Sequence, residues 1–454
     1  MKSPKVFLAT LAVVFLLLKL LLVRATIPVE QSIFQLDFGF GEYIQSLHTS
    51  EQLAFCRKSY CTYATRMPLI PWLYHLLGYL TLSSVLVAVI KGVALSLITA
   101  ITFKHLLGYQ LKLHRKALAS WCWILPLVVL SPAVIKHASA IAYEEGLLIE
   151  LGLLWAYAFL LCTRMLASNG GEAKAGPSVL AVLLSAVIYA AKSSMLPLLL
   201  ASLLLGLIVV IQRKSWATLL AMVCALSVPL SWGLRNEHVT GRFSIMTSWD
   251  GENMYRGASD LGYRLYPDVV LDRMFDSSAF HMRDGQLVTH EQLPTIGAFK
   301  DEWVWNDHYR QLAMDWVKQH PQDALGYTWQ KVFNFFVRIE KTPYQYKSDG
   351  SEIGQRLGVQ NLLTAAWLLV GRMLELAMLV LSGLLLMRRQ AGSAYLVLGV
   401  AVVNAAYAAP YILGFNYERH ITPYLVIVAC CVSLLWAQWR EQGSAQLDQG
   451  HNQV

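Results

Sequence analysis

Long apolar runs separated by short polar segments make up most of the 454-residue chain. A helix needs about 20 predominantly apolar residues to cross a bilayer. The pattern therefore predicts an all-α polytopic membrane protein with about ten membrane-spanning helices. The predicted spans are 6–23, 83–103, 117–135, 143–163, 178–191, 195–211, 216–233, 360–386, 394–415 and 422–438.

Two longer polar segments interrupt this pattern. The first loop, 24–82, ends in a proline-opened amphipathic stretch that we expect to lie along the membrane surface. The large loop, 234–359, has amphipathic helical patterns and many Trp and Tyr residues, which suit a lid resting on lipid headgroups. We therefore predict an N-terminal membrane module over 1–233, an extracytoplasmic mixed α domain over 234–359, and C-terminal helices with a cytoplasmic tail over 360–454.

Charge gives this arrangement an orientation. Only 15% of the residues are charged, against about 25% in a typical soluble domain. With ten alternating spans the main basic clusters fall on one side, which is then cytoplasmic. These clusters are Lys2 and Lys5; Lys104, Lys112, Arg115 and Lys116; Arg164 and Lys174; Arg213 and Lys214; Arg388 and Arg389. The net charge of +8 comes without a basic face interleaved with aromatic residues, so nucleic acid is excluded as a partner.

The seven cysteines fall into two groups. Cys122, Cys162, Cys224, Cys430 and Cys431 lie in apolar runs, where small buried side chains are expected. Cys56 and Cys61 lie in the first loop and form a disulfide if that loop faces an oxidising compartment. A zinc site is the weaker alternative, because no second pair with suitable spacing follows.

Polar residues with reactive side chains cluster on the predicted outer side, where the two loops also lie. The first loop carries Asp37 and Glu42 near its start and Arg66 before two prolines near its end. The others are Lys136, His137, Glu144, Glu145, Lys192, Arg235, Arg242, Tyr417, Glu418, Arg419 and His420. Any one of them alone is explained by contact with headgroups, and Asp37 alone by a helix cap. As a set that shares one face, they indicate a functional site.

Cations at a membrane surface suit the phosphate of a lipid, which Arg and Lys can hold and neutralise as it leaves. Asp37 or Glu42 could accept the proton of an attacking hydroxyl. Together these groups describe sugar transfer from a polyprenyl-phosphate carrier.

These residues also resemble a known family, the GT-C membrane glycosyltransferases, in particular the bacterial branch related to protein mannosyltransferases and aminoarabinose transferases. The matches cover most of the chain in order. They are Asp37 with Glu42 and Tyr43; the Arg-x-Pro-x-x-Pro of Arg66, Pro68 and Pro71; Glu144 or Glu145 at the fourth helix; the run Arg235, Asn236, Gly241, Thr247, Gly251, Asn253 and Gly257; and YERHITP from Tyr417 to Pro423. The chain departs from the family where Asp37 and Glu42 are not adjacent and where His420 stands in place of a Tyr.

The resemblance implies a GT-C-like fold and an inverting transfer from a lipid-phosphate sugar to a glycan, lipid or protein acceptor on the extracytoplasmic side. It makes Asp37 the general base, with Glu42 as its alternative, and Arg66, Lys136, Lys192 and Arg419 the ligands of the donor phosphate. Sugar or acceptor contacts would come from Tyr43, His137, Glu144, Glu145, Tyr417 and His420. The implied location is the bacterial cytoplasmic (inner) membrane in the cell envelope, with the site on its periplasmic side.

Other functions fit parts of the same pattern. A flippase or transporter of lipid-linked saccharides would use the cations but need no base. An O-antigen ligase or polymerase would also use lipid-linked sugars, and an assembly scaffold would need no single charge. Arg372 and Glu375 inside the eighth span are interpreted as a structural ion pair. The sequence identifies no cofactor. It shows no dense cluster of metal ligands that would decide metal dependence, and a divalent metal stays possible.

Overall fold

The computed structural model describes residues 32–36, 39–57, 60–90, 144–166, 175–282, 284–338, 359–388 and 391–451, with scattered positions before 32 and between 93 and 134. Most of the first three predicted spans therefore lies outside the described residues. Asp37, Lys136 and His137 lie outside them as well. The total of ten spans stays a prediction.

The first loop forms a compact unit of short elements. These are α1 (Phe40–Ser50), β1 (Phe55–Arg57), β2 (Tyr60–Thr62) and α2 (Leu69–Gly78). The two strands pair antiparallel with Cys56 opposite Cys61, and a disulfide joins these two residues. The disulfide alternative for this pair is therefore the one that the structure contains. Helix α2 begins directly after Pro68, as the amphipathic pattern predicts.

Among the described residues that follow in the N-terminal module, the helices with both ends given are α3 (Glu145–Leu166), α4 (Gly176–Ala191), α5 (Leu196–Arg213) and α6 (Trp216–Thr240). Helix α6 runs past the predicted end of its span at residue 233. Its first turn is capped by Ser215, whose hydroxyl accepts a hydrogen bond from the Thr218 amide, and it ends only at Gly241, where φ is 76°. The left-handed conformation there favours glycine and stops the helix.

The described part of the large loop folds into short helices and strands, and it is called the outer domain after its predicted side of the membrane. It contains α7 (Asp250–Gly257), α8 (Asp260–Leu265), β3 (Ala279–His281), β4 (Leu287–Thr289), α9 (Glu302–Gln319) and α10 (Pro321–Phe336), with a 3-10 turn at Leu271–Arg273. Helices α7 and α9 pack together so closely that a Cβ on Gly251 would lie 2.0 Å from the Asn306 carbonyl oxygen. A glycine at 251 is therefore required by packing.

The C-terminal helices are α11 (Val359–Met387), α12 (Ala391–Leu413) and α13 (Glu418–His451). Helix α13 packs against α3 and α11, and α3 also packs against α4 and α12. Both α3 and α13 are almost entirely enclosed by protein, whereas α5, α6 and α11 expose apolar side chains on one side. The bundle is thus organised around α3 and α13.

Six of the described helices are long and apolar enough to cross a membrane, and α4 is a shorter apolar helix. They confirm a helical integral membrane protein. The predicted pair of Arg372 and Glu375 is confirmed by a distance of 2.7 Å between Nη1 and Oε1. One expectation is wrong: Cys224 is exposed on the outside of α6, although Cys162, Cys430 and Cys431 are buried as expected and Cys122 lies outside the described residues.

The two ends of the helix bundle carry different parts of the chain. Arg164 at the end of α3 pairs with Glu441 at 2.5 Å, and Arg388 donates to the Trp439 carbonyl at 2.8 Å. The outer domain and the first loop lie at the opposite end, near the starts of α3 and α13. Arg164 and Arg388, which were predicted to be cytoplasmic, are therefore separated along the bundle from the two predicted outer segments.

Candidate functional site

Arg66 reaches the start of α3 from the end of the first loop. Its guanidinium lies 5.1 Å from the ring centre of Phe40 and 4.5 Å from that of Trp249. Its Nη1 atom is 3.6 Å from Glu144 Oε1. Arginine stacks well on aromatic rings while its edge pairs with an anion. The rings thus hold a cation beside Glu144, the residue directly before α3.

Glu145 is the buried centre of a second group of charges. Lys192, in extended conformation between α4 and the turn Ser193–Met195, places Nζ 2.5 Å from Glu145 Oε1. His420 Nε2 is 3.3 Å from the same oxygen. The His420 ring stacks on Tyr411 with centroids 4.5 Å apart. A carboxylate that is only 2% exposed needs such partners, because burying an unpaired charge is costly.

Arg419 connects this group to the outer domain. Its Nη2 atom is 3.1 Å from Asp272 Oδ2, in the 3-10 turn of the outer domain. The second oxygen of Asp272 is 3.4 Å from Arg256 Nη1, and Arg256 also pairs with Glu252 one turn earlier in α7. Burial acts to raise the pKa of Asp272, but the guanidinium groups of Arg419 and Arg256 outweigh it and lower that pKa. Asp272 is therefore a charged carboxylate shared by two arginines.

These contacts form two adjoining groups of charges, together called the charge cluster, at the outer end of the bundle. Arg66 pairs with Glu144, and the second group begins at the next residue, Glu145. The cations of the charge cluster are Arg66, Lys192, Arg256 and Arg419, and its carboxylates are Glu144, Glu145, Glu252 and Asp272, with His420 between the two kinds. The members come from stretches that are far apart in sequence. Among the predicted site residues, the structure thus brings together Arg66, Glu144, Glu145, Lys192, Arg419 and His420.

Three other predicted site residues are not members of the charge cluster. Tyr43 is buried under the hairpin, where its hydroxyl bonds to Thr65 and lies 3.4 Å from the Thr62 hydroxyl. Burial, with a contribution from the Glu302 carboxylate, raises the pKa of Tyr43 to about 12. Tyr417 accepts a hydrogen bond from the Leu271 amide in the outer-domain core, and it borders the charge cluster because its amide donates to His420 Nδ1 at 3.2 Å. Glu42 is half-buried in the first turn of α1.

Sequence reasoning missed Glu252, Arg256 and Asp272. Glu252 and Arg256 stand four residues apart in a polar stretch, the spacing of an ion pair on one helix face, so a signal for them exists. Asp272 lies in a 3-10 turn without periodicity, and nothing in the sequence connects it with Arg419. Its role is visible only from the fold.

The first loop is fixed to the outer domain by Glu302. Its carboxylate, 3% exposed, accepts hydrogen bonds from the Tyr63 and Ala64 amides at 2.9 and 3.0 Å and from the Ser248 hydroxyl at 2.7 Å. Arg235 adds hydrogen bonds to the Tyr63 and Leu53 carbonyls at 2.5 and 2.6 Å. These bonds set the position of the strand that leads to Arg66. Arg235 thus supports the site without touching the charge cluster.

The described residues contain no group of three or more His, Cys, Asp or Glu side chains arranged to hold a metal ion. The charge cluster itself offers cations and carboxylates. Such a set can bind an anion and can accept a proton.

Comparison with known proteins identifies no family. No protein-family model and no curated protein matches the sequence. Among solved structures, the chain is similar to the archaeal oligosaccharyltransferase AglB from Archaeoglobus fulgidus, solved in complex with an inhibitory peptide and a dolichol-phosphate, with a TM-score of 0.42 and 11% sequence identity. The similarity covers 96% of this chain and 50% of that chain, so this chain spans about half the length of AglB. What the fold and site define is a helical membrane protein with a buried charge cluster beneath an outer domain.

Proposed function

We propose that this protein is a GT-C type glycosyltransferase that moves a sugar from a polyprenyl-phosphate donor to a glycan, lipid or protein acceptor on the extracytoplasmic side of the membrane. One observation carries the proposal. Arg66, Lys192 and Arg419, which come from three separate parts of the sequence, meet in the charge cluster, where the membrane helices end and the outer domain begins.

In this proposal the cations bind the donor phosphate and stabilise it as the leaving group. Arg66 and Arg419 present guanidinium groups suited to phosphate oxygens, and Lys192 supplies a point charge. Arg256 joins them because it shares Asp272 with Arg419. Lys136 belongs to the same proposed set by its place in the sequence.

The reaction is a single displacement at the anomeric carbon. The acceptor oxygen forms a bond to that carbon on one face while the bond to the phosphate oxygen breaks on the other, so configuration inverts. The acceptor proton passes to Asp37, or to Glu42, and the electron pair of the broken bond leaves with the polyprenyl phosphate. Arginine and lysine neutralise the charge that develops there.

Neighbouring residues would then position the reactants. Glu144 and Glu145 already hold Arg66 and Lys192 and would orient the sugar or a cation. His420 contacts both Arg419 and Glu145 and can hydrogen-bond the phosphate or the sugar. His137 is proposed for the acceptor side. Tyr43 and Tyr417 would hold neighbouring segments of the site in place, because each hydroxyl is hydrogen-bonded within the protein.

The proposal is tested by analysing envelope glycans and lipid-linked saccharides in cells with and without the protein. Loss of the protein should remove one sugar from one glycan and cause its polyprenyl-phosphate donor to accumulate. Restoring the wild-type chain should reverse both effects. Arg66→Ala or Arg419→Ala should restore less than about a tenth of transfer, since each removes a charge-assisted hydrogen bond to phosphate.

Arg273→Ala is the matched control, because Arg273 lies beside Asp272 but is exposed and pairs with Asp276 at 3.0 Å. It should restore full transfer. Unchanged glycans in cells without the protein would contradict the proposal. Loss of whole glycan chains together with retained intracellular lipid-linked saccharide would indicate a flippase, a ligase or a polymerase instead.

A further inference from the structure

Helix α10 of the outer domain exposes a row of large apolar side chains. Leu325, Trp329, Phe333 and Val337, which follows the helix, are 72%, 68%, 52% and 51% exposed. Their spacing of four residues places them along one face. The rest of the helix buries two aromatic residues, Tyr327 and Phe335, together with the polar residues Lys331 and Asn334. The helix is thus apolar on its exposed face as well as on its packed face, whereas a helix at the surface of a water-soluble domain exposes polar residues.

The buried polar residues fix α10 to the end of a membrane helix. Lys331 Nζ donates to the carbonyls of Leu413 and Gly414, at 3.1 and 3.0 Å, where α12 ends. Asn334 Nδ2 donates to Asn416 Oδ1 at 2.5 Å. Because these acceptors lie just beyond the last turn of a membrane-spanning helix, α10 lies at the level of the outer membrane interface.

The membrane helix that anchors α10 also exposes an apolar side chain at this level. Leu413, whose carbonyl accepts a hydrogen bond from Lys331, is 70% exposed at the end of α12. A row of exposed apolar side chains such as that on α10 marks an interaction site. Tryptophan at such a position is typical of the membrane interface.

We propose that the apolar face of α10, formed by Leu325, Trp329, Phe333 and Val337, is inserted into the outer leaflet of the bilayer. The occupant of this face is lipid, and α10 lies in the interface as an amphipathic helix does. Its consequence for the site follows from two contacts. Tyr327 donates to the Arg256 carbonyl at 2.8 Å, and Lys331 donates to the Gly257 carbonyl at 2.6 Å. Insertion of α10 therefore sets the depth of α7, which carries Glu252 and Arg256.

The test is the accessibility of nitroxide spin labels on full-length protein in phosphatidylcholine–phosphatidylglycerol nanodiscs. Trp329→Cys and Phe333→Cys are labelled in a background with Cys122→Ser and Cys224→Ser, since Cys224 is exposed. Asp323→Cys on the same helix is the matched control, because its carboxylate is 54% exposed. Thermal melting of each labelled protein checks that it is folded.

Labels at 329 and 333 should collide with oxygen at least about threefold more often than with a water-soluble nickel complex, since oxygen concentrates in hydrocarbon. The label at 323 should show the opposite preference. Equal access of the nickel complex to 329, 333 and 323 would place the face in water and overturn the proposal. Protection of 329 and 333 from both reagents would show that protein covers the face and would overturn it as well.

Discussion

Asp272 is held between Arg256 and Arg419, with one carboxylate oxygen directed to each. Taking three charged groups out of water is costly, and the mutual attraction repays this only when every group has a partner. The lowered pKa of Asp272 shows that attraction exceeds the cost of burial at this position. The Asp272 carboxylate thereby orients two arginines at the junction of the outer domain and α13.

The choice between the two first-loop carboxylates is a residue-level prediction. Asp37→Asn should lower transfer by about 10²–10⁴-fold, because an amide cannot accept the acceptor's proton. Glu42→Gln should lower it by less than about tenfold. The measurement is sugar transfer in membranes that contain each variant at equal amounts, with thermal melting as the check on folding.

Glu51→Gln is the control for Glu42→Gln, because Glu51 closes the same helix and is exposed. It should transfer sugar at the wild-type rate. Full activity in Asp37→Asn would remove that residue from the mechanism. Activity lost only in Glu42→Gln would move the base to the first turn of α1.

At the scale of elements, α10 is joined to both α7 and α12 through Lys331. Its ammonium group donates to the carbonyls of Gly257, Leu413 and Gly414. Three donors thus meet three acceptors, a match that no apolar side chain can replace. A Cβ on Gly257 would lie 2.3 Å from the Gly414 oxygen, so a glycine is needed for α7 to approach this point.

Lys331→Met should destabilise the contact between the outer domain and the bundle. Leaving buried carbonyls without donors costs about 1–3 kcal/mol each. We therefore expect the melting temperature of the purified protein to fall by about 3–10 °C. Lys318→Met is the control, because Lys318 is 67% exposed on α9, and its melting temperature should stay within about 1 °C. Equal melting of the two variants would contradict a joining role for Lys331.

The sequence predicted the elements where periodicity decides them. Spans four to ten correspond to helices because their apolar runs match the length that a bilayer requires. The end of α6 was predicted too early, since a helix that leaves the membrane can continue with polar residues until a glycine such as Gly241 stops it. Local patterns therefore locate helices better than they locate helix ends.

Part of the site could be predicted from the sequence, because some of its residues are unusual in their local surroundings. Arg66, Lys192 and Arg419 stand out because charges beside apolar runs are rare. Asp272 does not stand out, because an acid in a polar loop is ordinary until the chain folds back onto α13. Tyr43 was assigned to the site by resemblance, and its position under the hairpin depends on the fold of the first loop.

For the whole molecule, two features indicate which end of the bundle faces the cytoplasm. The disulfide between Cys56 and Cys61 is typical of an oxidising compartment, which agrees with the predicted outer position of the first loop. Arg164 and Arg388 lie at the opposite end, beside Glu441 and Trp439. Both features favour the same orientation.

This orientation predicts a labelling pattern in spheroplasts. The Cys56→Ser variant, which leaves Cys61 unpaired, should react with a membrane-impermeant maleimide while the cells are intact. Arg440→Cys, at an exposed position near the other end, should react only after lysis. Both variants carry Cys224→Ser. The reverse pattern would invert the proposed orientation and place the charge cluster on the cytoplasmic side.

Helix α13 is made last of the described helices, yet it is enclosed on nearly all sides by the others. Chains are synthesised from the N-terminus, and earlier segments begin to fold while later ones are still being made. The helices made earlier must therefore leave a gap that only α13 fills. Because Arg419 and His420 arrive on that helix, the bundle and the charge cluster are completed by the same late insertion step.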